Sequence, residues 1–340
     1  MNGKSLFIDY IPPKIITTFA QLFYNMEKQN FNGHLALFVA NLVFGLNTIV
    51  SRSLMPEILS PYTLTFSRLA GGMILFWIAS LFVKNEKVPL KDIFLLFCAS
   101  IFSLVLNQLP YFVGLSITSP IDASIVVTML PIITMILAAV FIKEPITLMK
   151  AIGVIVGLSG ALLLVLTSKH THVGESNFWG NLIVFSAVFA FAIYLTAFKK
   201  LIMRYSPITV MKWMFLFGTI MCFPFCRQSI IDTNFEMLTT STYLKMGFVV
   251  VLGTFFTYML IPIGQKVLRP TTFSMYNYLQ PIVASMVAVA IGMDTFGYEK
   301  ALSAVLVFSG VYIVTQSKSR AQLLAEKAEK KSEKKLHHPN

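Results

Sequence analysis

Ten long apolar runs divide the sequence, and only two charged residues, Arg68 and Lys212, interrupt any of them. A helix needs roughly 20 apolar residues to cross a hydrocarbon core about 30 Å thick. Runs of this length that are apolar on every face predict membrane-spanning helices, because a β-barrel would show shorter segments of alternating polarity. The runs are 35–51, 60–83, 93–121, 123–142, 151–168, 176–198, 206–226, 246–265, 270–293 and 301–317.

The composition indicates that lipid is the main solvent. Of the 340 residues, 56% are hydrophobic and 12% are charged, too few polar groups to cover a water-facing globule. Residues 1–32 contain Pro12, Pro13 and Lys14, lack the apolar core of a signal peptide and predict a cytoplasmic leader. Residues 318–340 form a basic cytoplasmic tail that would anchor the topology beside anionic lipid. The net charge of +12 therefore indicates a lipid bilayer as partner and no nucleic acid.

The charges of the loops predict the orientation of the chain. An even number of spans puts both termini on one side, and the side richer in Lys and Arg is cytoplasmic. Cytoplasmic termini would place the larger set of basic loop residues inside, so we expect a multi-pass protein of the cell (inner or plasma) membrane. The inside set is Lys84, Lys87, Lys91, Lys143, Lys150, Lys199, Lys200, Arg204, Lys266 and Arg269, against Arg52, Lys169, Arg227, Lys245 and Lys300 outside.

The sequence repeats itself at a constant offset of 150 residues. Residues 119–168 align without a gap on residues 269–318, and Pro131 falls on Pro281. Matching prolines and glycines are hard to explain by shared hydrophobicity alone. The match therefore predicts that the chain consists of two related halves.

Each half, 33–168 and 176–317, would hold five helices. Because five is odd, the second half must cross the membrane in the direction opposite to the first. Inverted repeats of this kind can exchange their packing between two conformations that open to opposite sides. The expected fold is an all-α integral membrane protein with ten transmembrane helices in two inverted five-helix repeats, an architecture suited to alternating access.

The segment from Gly114 to Val165 resembles a family pattern. It has a Ser/Thr-rich turn, the mid-helix proline Pro131, the acidic residue Glu144 after the fourth run and a glycine-rich fifth run. These features are similar to those of the EamA-like branch of the drug/metabolite transporter superfamily, over roughly residues 33–317. The resemblance implies metabolite transport without naming the cargo, and a central cavity lined mainly by helices 1, 3, 4, 6, 8 and 9. The second copy departs from the pattern, since Asp294 stands where the family usually has Glu.

Two charged residues are the sharpest functional candidates. Arg68 lies about two turns inside its run, where a cation costs several kcal/mol unless it is paired or hydrated. It would be the counter-charge for an anionic or zwitterionic substrate or for Asp122, or it would snorkel to the outer interface. Asp122 would exchange a proton during transport, or it would cap the helix that begins near Pro120.

Polar side chains in the other runs predict a substrate cavity. Hydrocarbon would leave these groups without hydrogen bonds, so they must face protein or water. Tyrosine rings can stack on a ligand while amides select its orientation, although each group could instead bond between helices. The candidates are Asn41, Asn47, Asn107, Gln108, Tyr111, Tyr194, Thr257, Tyr258, Tyr276, Asn277 and Gln280, together with Arg68.

Prolines and glycines indicate kinked and closely packed helices. Pro131 and Pro281 occupy equivalent places in the two halves and predict paired bends, used either in gating or in static packing. Gly153, Gly157 and Gly160 form a small-residue face that predicts close helix contact, within the chain or between two copies in a homodimer.

The sequence favours a secondary transporter over other classes of protein. It has no H-E-x-x-H, G-x-S-x-G or ATP-binding motif, so we expect no enzyme, no cofactor and no metal site. Arg68 and the Tyr/Asn cluster favour a small-molecule substrate of the amino acid or similar zwitterionic type. The residues do not state the direction of transport, and export is the working expectation. The alternative is a channel or a non-transporting membrane scaffold, although scattered polar groups suit one pocket better than a pore.

Overall fold

The computed structural model describes residues 13–55, 57–118, 120–167, 177–290, 297–318 and 322–324, and all regular structure within them is helical. A short helix, Lys199–Ile202, lies between the longer helices Phe178–Ala197 and Pro207–Asp232. The main helices are α1 Pro13–Leu54, α2 Pro61–Ser80, α3 Leu90–Ile117, α4 Pro120–Val127 with Leu130–Ile142, α5 Leu148–Thr167, α6 Phe178–Ala197, α7 Pro207–Asp232, α8 Thr240–Val267, α9 Pro270–Met275 with Leu279–Ala290, and α10 Tyr298–Gln316.

Each predicted apolar run overlaps one of these helices. Within the described residues, eight helices are long and apolar enough to cross a membrane, including the part Phe31–Leu54 of α1. Helix α5 contributes a shorter apolar stretch, Leu148–Leu163, and α9 is interrupted. The first helix begins earlier than predicted, at Pro13.

Helices α2 and α7 begin in the same way. The side chains of Ser60 and Ser206 accept hydrogen bonds from the backbone N–H groups of Thr63 and Thr209. A proline follows each serine at the first helical position, where its missing N–H breaks no helical hydrogen bond. The sequence Ser-Pro-x-Thr therefore defines both helix starts.

Helices α3 and α8 carry the same local distortion. Each contains a π-helical turn, at Ile101–Val105 in α3 and at Val251–Phe256 in α8. The two turns are separated by the 150 residues that also separate the two halves of the sequence. Single π-helical turns occur frequently at functional sites.

Helices α4 and α9 are both broken shortly before a proline. Helix α4 is interrupted at Thr128 and Met129, before Pro131. Helix α9 is interrupted by the 3-10 turn Tyr276–Tyr278, before Pro281. A proline removes one backbone N–H and clashes with the preceding turn, so the two equivalent prolines explain two equivalent breaks.

The helices pack in a pattern that repeats between the halves. Helix α2 packs on α7, α5 packs on α10, and α4 packs on α9. Helix α1 lies against α8 and α9, while α6 lies against α3 and α4. Exchanging α1–α5 with α6–α10 leaves this set of neighbours unchanged.

The contact between α5 and α10 depends on glycine. A Cβ on Gly310 would lie 2.5 Å from the backbone nitrogen of Gly157 and 2.7 Å from the carbonyl oxygen of Gly153. A Cβ on Gly160 would lie 2.8 Å from the carbonyl oxygen of Ser303. The small-residue face therefore packs within the chain, and a homodimer stays a prediction.

We expect Gly310→Ala to destabilise the protein by roughly 1–3 kcal/mol, because its methyl group must push two helix backbones apart. Gly247→Ala is the matched control, since a Cβ at Gly247 meets nothing within 4 Å and alanine favours a helix more than glycine does. Thermal unfolding in detergent should give a lower midpoint for Gly310→Ala and an unchanged or higher midpoint for Gly247→Ala. Equal midpoints for the two variants would contradict this packing.

Candidate functional site

A cavity of about 130 Å³ lies among helices from both halves of the chain. It is walled by α1, α2, α3, α4, α6, α8 and α9. Eight of the twelve predicted cavity residues belong to this wall. Its polar lining is Asn47, Thr48, Arg68, Asn107, Gln108, Tyr111, Tyr258, Asn277 and Gln280, and its apolar lining is Phe44, Phe112, Leu115, Val127, Leu130, Val188, Phe191 and Ile261.

Arg68 supplies the charge of this wall, and only 4% of the residue is exposed. Its Nε donates to the Thr254 hydroxyl at 3.0 Å, and its Nη2 makes a longer contact of 3.5 Å with the Gly253 carbonyl oxygen. Its guanidinium carbon lies 5.1 Å from the centroid of the Phe112 ring, within cation–π range. Among the described side chains no carboxylate pairs with it. A guanidinium has five N–H donors, so Arg68 keeps donors for a ligand.

The π-helical turn of α8 makes this arrangement possible. Gly253 and Thr254 both lie in the turn, and the Thr254 hydroxyl also donates to the Val249 carbonyl oxygen at 2.9 Å. A Cβ on Gly253 would collide with Oδ1 of Asn47. Glycine at this position therefore lets Asn47 of α1 reach the turn that holds Arg68.

Amides from α1 and α3 complete the polar side of the cavity. Nε2 of Gln108 donates to the Tyr258 hydroxyl at 3.1 Å, and Nδ2 of Asn107 donates to the Ala187 carbonyl oxygen at 3.0 Å. Oδ1 of Asn47 and Oε1 of Gln108 are buried and accept no hydrogen bond from the described residues. A buried acceptor without a donor costs about 1–3 kcal/mol, so each oxygen would be stabilised by a donor.

Hydrogen bonds join α1 to the broken helix α9. Nε2 of Gln280 donates to Oδ1 of Asn41 at 2.9 Å and to Oδ1 of Asn277 at 2.8 Å. Nearer the start of α1, Nδ1 of His34 lies 2.6 Å from the Tyr276 hydroxyl. Asn41 and Tyr276 thus lie behind the cavity wall, where they hold the segment that carries Asn277 and Gln280.

Two other predicted residues also lie away from the lining. Tyr194 is fully buried and donates to Oε1 of Gln265 at 3.0 Å. Thr257 donates to the Gly253 carbonyl oxygen at 2.9 Å. Tyr194 thus makes the contact between helices that the sequence left open as the alternative, whereas Thr257 bonds within α8. The side chain of Asp122 lies outside the described residues, so its role in proton exchange stays a prediction.

Sequence reasoning missed the apolar part of the lining. Phe44, Phe112 and Phe191 are three of 30 phenylalanines, and an aromatic residue in a spanning run can face a cavity, another helix or lipid. No sequence signal separates these cases. Thr48 could have been predicted, because it directly follows the candidate Asn47 in the sequence. Its hydroxyl donates to the Phe44 carbonyl oxygen at 3.0 Å.

Polar contacts join the loops at one end of the bundle. Glu86 accepts hydrogen bonds from the backbone N–H of Ser206 at 2.9 Å and from its hydroxyl at 2.8 Å. Burial opposes the charge of Glu86, but hydrogen bonds from Thr209 and Ser206 and the nearby Lys266 outweigh it and lower its pKa. Because the folded-state pKa is lowered, this contact stabilises the fold above the ordinary pKa and is lost as the pH falls through the lowered one.

The same end carries a buried ion pair between α4 and α5. Nζ of Lys150 lies 2.8 Å from Oε1 of Glu144, whose other oxygen lies 3.4 Å from the Thr271 hydroxyl at the start of α9. Lys199 donates to the Leu268 carbonyl oxygen and so joins the end of α6 to the end of α8. Burial is the main cause that lowers the pKa of Lys199 to about 8. These contacts join loops and helix ends of both halves at this end of the bundle.

We expect Thr254→Val to lower stability by roughly 1–3 kcal/mol, because it leaves Nε of the buried Arg68 without its acceptor. Thr254→Ser keeps the hydroxyl and is the matched control. The thermal unfolding midpoint in detergent should fall for valine and stay near the wild-type value for serine. A wild-type midpoint in Thr254→Val would show that this hydrogen bond does not hold Arg68.

Comparison with known proteins identifies the family of this chain. A model of the EamA-like transporter family matches residues 31–166 and, separately, residues 178–316. An uncharacterized transporter from Archaeoglobus fulgidus is 25% identical over 260 residues, 76% of this chain and 90% of that protein. The uncharacterized inner membrane transporter YicL of Salmonella typhimurium is 23% identical over 301 residues, 85% of this chain and 97% of that protein.

A solved crystal structure with 18% sequence identity has the same fold. It covers 84% of this chain and 98% of its own at a TM-score of 0.70. The resemblance inferred from the segment Gly114 to Val165 is therefore confirmed. This multi-pass membrane protein belongs to the EamA-like transporter family.

Proposed function

We propose that the protein is a secondary transporter that carries an amino acid or a similar small zwitterion across the membrane by alternating access. Arg68 is the observation that carries this proposal. A guanidinium with unused donors in a cavity wall matches a substrate carboxylate, because arginine can bond both carboxylate oxygens in parallel. The unpartnered oxygens of Asn47 and Gln108 match a substrate ammonium group, which brings only donors. A cation and acceptors in one wall favour a zwitterion over a simple anion.

The size of the cavity favours a compact substrate. Its volume of about 130 Å³ is close to the roughly 150 Å³ of a cavity that holds one benzene molecule. A ligand of about six non-hydrogen atoms fits such a space, and a small amino acid such as alanine has this size. The apolar wall of Phe44, Phe191 and Ile261 would receive its side chain.

The proposal includes ten transmembrane helices in two inverted five-helix repeats. The separate match of each half to one family model supports two related halves. The equivalent π-helical turns in α3 and α8, and the equivalent breaks before Pro131 and Pro281, support the same relation. Neighbours that are unchanged when the halves are exchanged would allow two packings of similar energy, as alternating access requires.

The contacts between loops at one end of the bundle suggest how an export cycle would run. The positive-inside rule assigns the loops joined by Glu86–Ser206 and Glu144–Lys150 to the cytoplasm. Export would then begin when these contacts open, admit substrate from the cytoplasm and close behind it. Asp122 is retained as the candidate for coupling this cycle to protons.

Amino acids should raise the unfolding temperature of the detergent-purified protein in a dose-dependent way, since a ligand of the folded state stabilises it by mass action. Arg68→Gln should weaken the apparent affinity about tenfold, because a hydrogen bond to a charged group contributes roughly 1.5–3 kcal/mol. Lys245→Gln is the control for the loss of a positive charge, because this lysine does not line the cavity.

The panel should also contain sugars, nucleobases and organic acids. A shift produced by one of these classes and not by amino acids would reassign the substrate. Wild-type affinity in Arg68→Gln would remove the argument for a carboxylate at this residue.

Alternating access also predicts exchange of substrate across the membrane. In proteoliposomes, uptake of labelled substrate should be faster when unlabelled substrate is present inside, because a loaded carrier can return by exchange. A channel would show no such acceleration, and a scaffold would show no uptake. An uptake rate that does not change with internal substrate would therefore favour the channel alternative.

A further inference from the structure

Lys212 is a buried cation that the cavity does not use. It lies near the start of α7, and only 9% of the residue is exposed. Within the described residues it forms no hydrogen bond and no ion pair, and it does not line the cavity. A cation inside a membrane-spanning helix requires a partner or water, and its surroundings indicate which partner it has.

Two tryptophans hold the ammonium group of Lys212. Its Nζ lies 5.4 Å from the ring centroid of Trp77 and 5.9 Å from that of Trp213. The two rings meet edge to face with centroids 5.6 Å apart. Tryptophan concentrates at membrane interfaces, so the pair indicates that Nζ lies at the level of the lipid headgroups. Cation–π contacts engage the charge but leave the three N–H donors of an ammonium group without acceptors.

The surface beside this cluster is apolar and faces outward. Trp77 is 37% exposed, and Ile78, Leu81 and Phe82 of the same segment are exposed as well. In a multi-pass membrane protein such a surface faces acyl chains. A ligand that reaches Lys212 from this side therefore brings an apolar part with it.

The carboxylates at this end of the bundle are already engaged. Asp92 accepts hydrogen bonds from Arg204 at 3.1 Å and from the Tyr205 hydroxyl at 2.5 Å. Glu86 accepts two hydrogen bonds from Ser206. An acceptor for Lys212 must therefore come from outside the described part of the chain.

We infer that Lys212, Trp77 and Trp213 bind the phosphate of an anionic phospholipid whose acyl chain covers Ile78, Leu81 and Phe82. The phosphate oxygens accept the ammonium N–H groups, and the acyl chain covers the exposed apolar surface. The lipid is anionic because the basic loops assign this end to the cytoplasmic leaflet, which is rich in anionic lipid. This site is independent of the substrate cavity.

Stability of the delipidated, detergent-purified protein tests the site directly. Phosphatidylglycerol should raise the unfolding midpoint of the wild-type protein in a dose-dependent way, and phosphatidylcholine should raise it less. Lys212→Gln should lose this preference. Lys245→Gln, which removes a lysine from the opposite end of the bundle, should keep it.

Tryptophan fluorescence provides a second measurement that needs no change at the site. Trp179→Phe leaves Trp77 and Trp213 as the remaining tryptophans, because the chain has three. Brominated phosphatidylglycerol should quench this pair more strongly than brominated phosphatidylcholine at equal mole fraction.

Equal quenching by the two lipids would overturn the inference, as would an unchanged lipid preference in Lys212→Gln. A shift of the same size with inorganic phosphate alone would also overturn it, because the ligand would then be a free anion. The fluorescence comparison keeps the test decisive if Lys212→Gln does not fold.

Discussion

A guanidinium inside hydrocarbon must find its hydrogen-bond partners within the protein, and the cavity is arranged around this requirement. Arg68 meets it with the Thr254 hydroxyl and the Gly253 carbonyl oxygen, both in the π-helical turn of α8. The same turn has room for Asn47 because Gly253 has no side chain. One local irregularity of α8 therefore joins α1, α2 and α8 at the polar wall.

The two halves share a frame but differ in chemistry. The position that corresponds to Thr254 at the 150-residue offset is Leu104, which lies in the π-helical turn of α3. The leucine side chain cannot accept a hydrogen bond. The alignment of the α2 and α7 starts places Met214 at the position of Arg68. Among the described residues, a similar arrangement of helices in the two halves thus presents a charge to the cavity from one half only. In the proposed transport cycle, such a cavity would bind a substrate in one orientation.

The two charges inside predicted spans have different surroundings, which separates their roles. Arg68 is held by polar groups in the cavity wall, whereas Lys212 is held by the faces of Trp77 and Trp213 beside an exposed apolar surface. Hydrogen bonds fix the direction of the guanidinium, but a cation–π contact leaves an ammonium group free to bond elsewhere. Both residues lie a similar distance inside their apolar runs, and both are buried. Neither property distinguishes their roles.

The sequence alone determined the membrane class, the helical runs, the repeat and the family resemblance, because these depend on run length, periodicity and spacing within the chain. It also indicated most of the polar lining. Amide, tyrosine and arginine side chains of a spanning helix are costly when they face lipid, so they are expected to face protein or water. Only the tertiary structure decided that Asn41, Tyr194 and Tyr276 bond to other helices, that Thr257 bonds within α8, and that phenylalanines contribute to the apolar wall. That choice depends on the rotation of each helix about its axis, which is decided by packing between segments far apart in the chain.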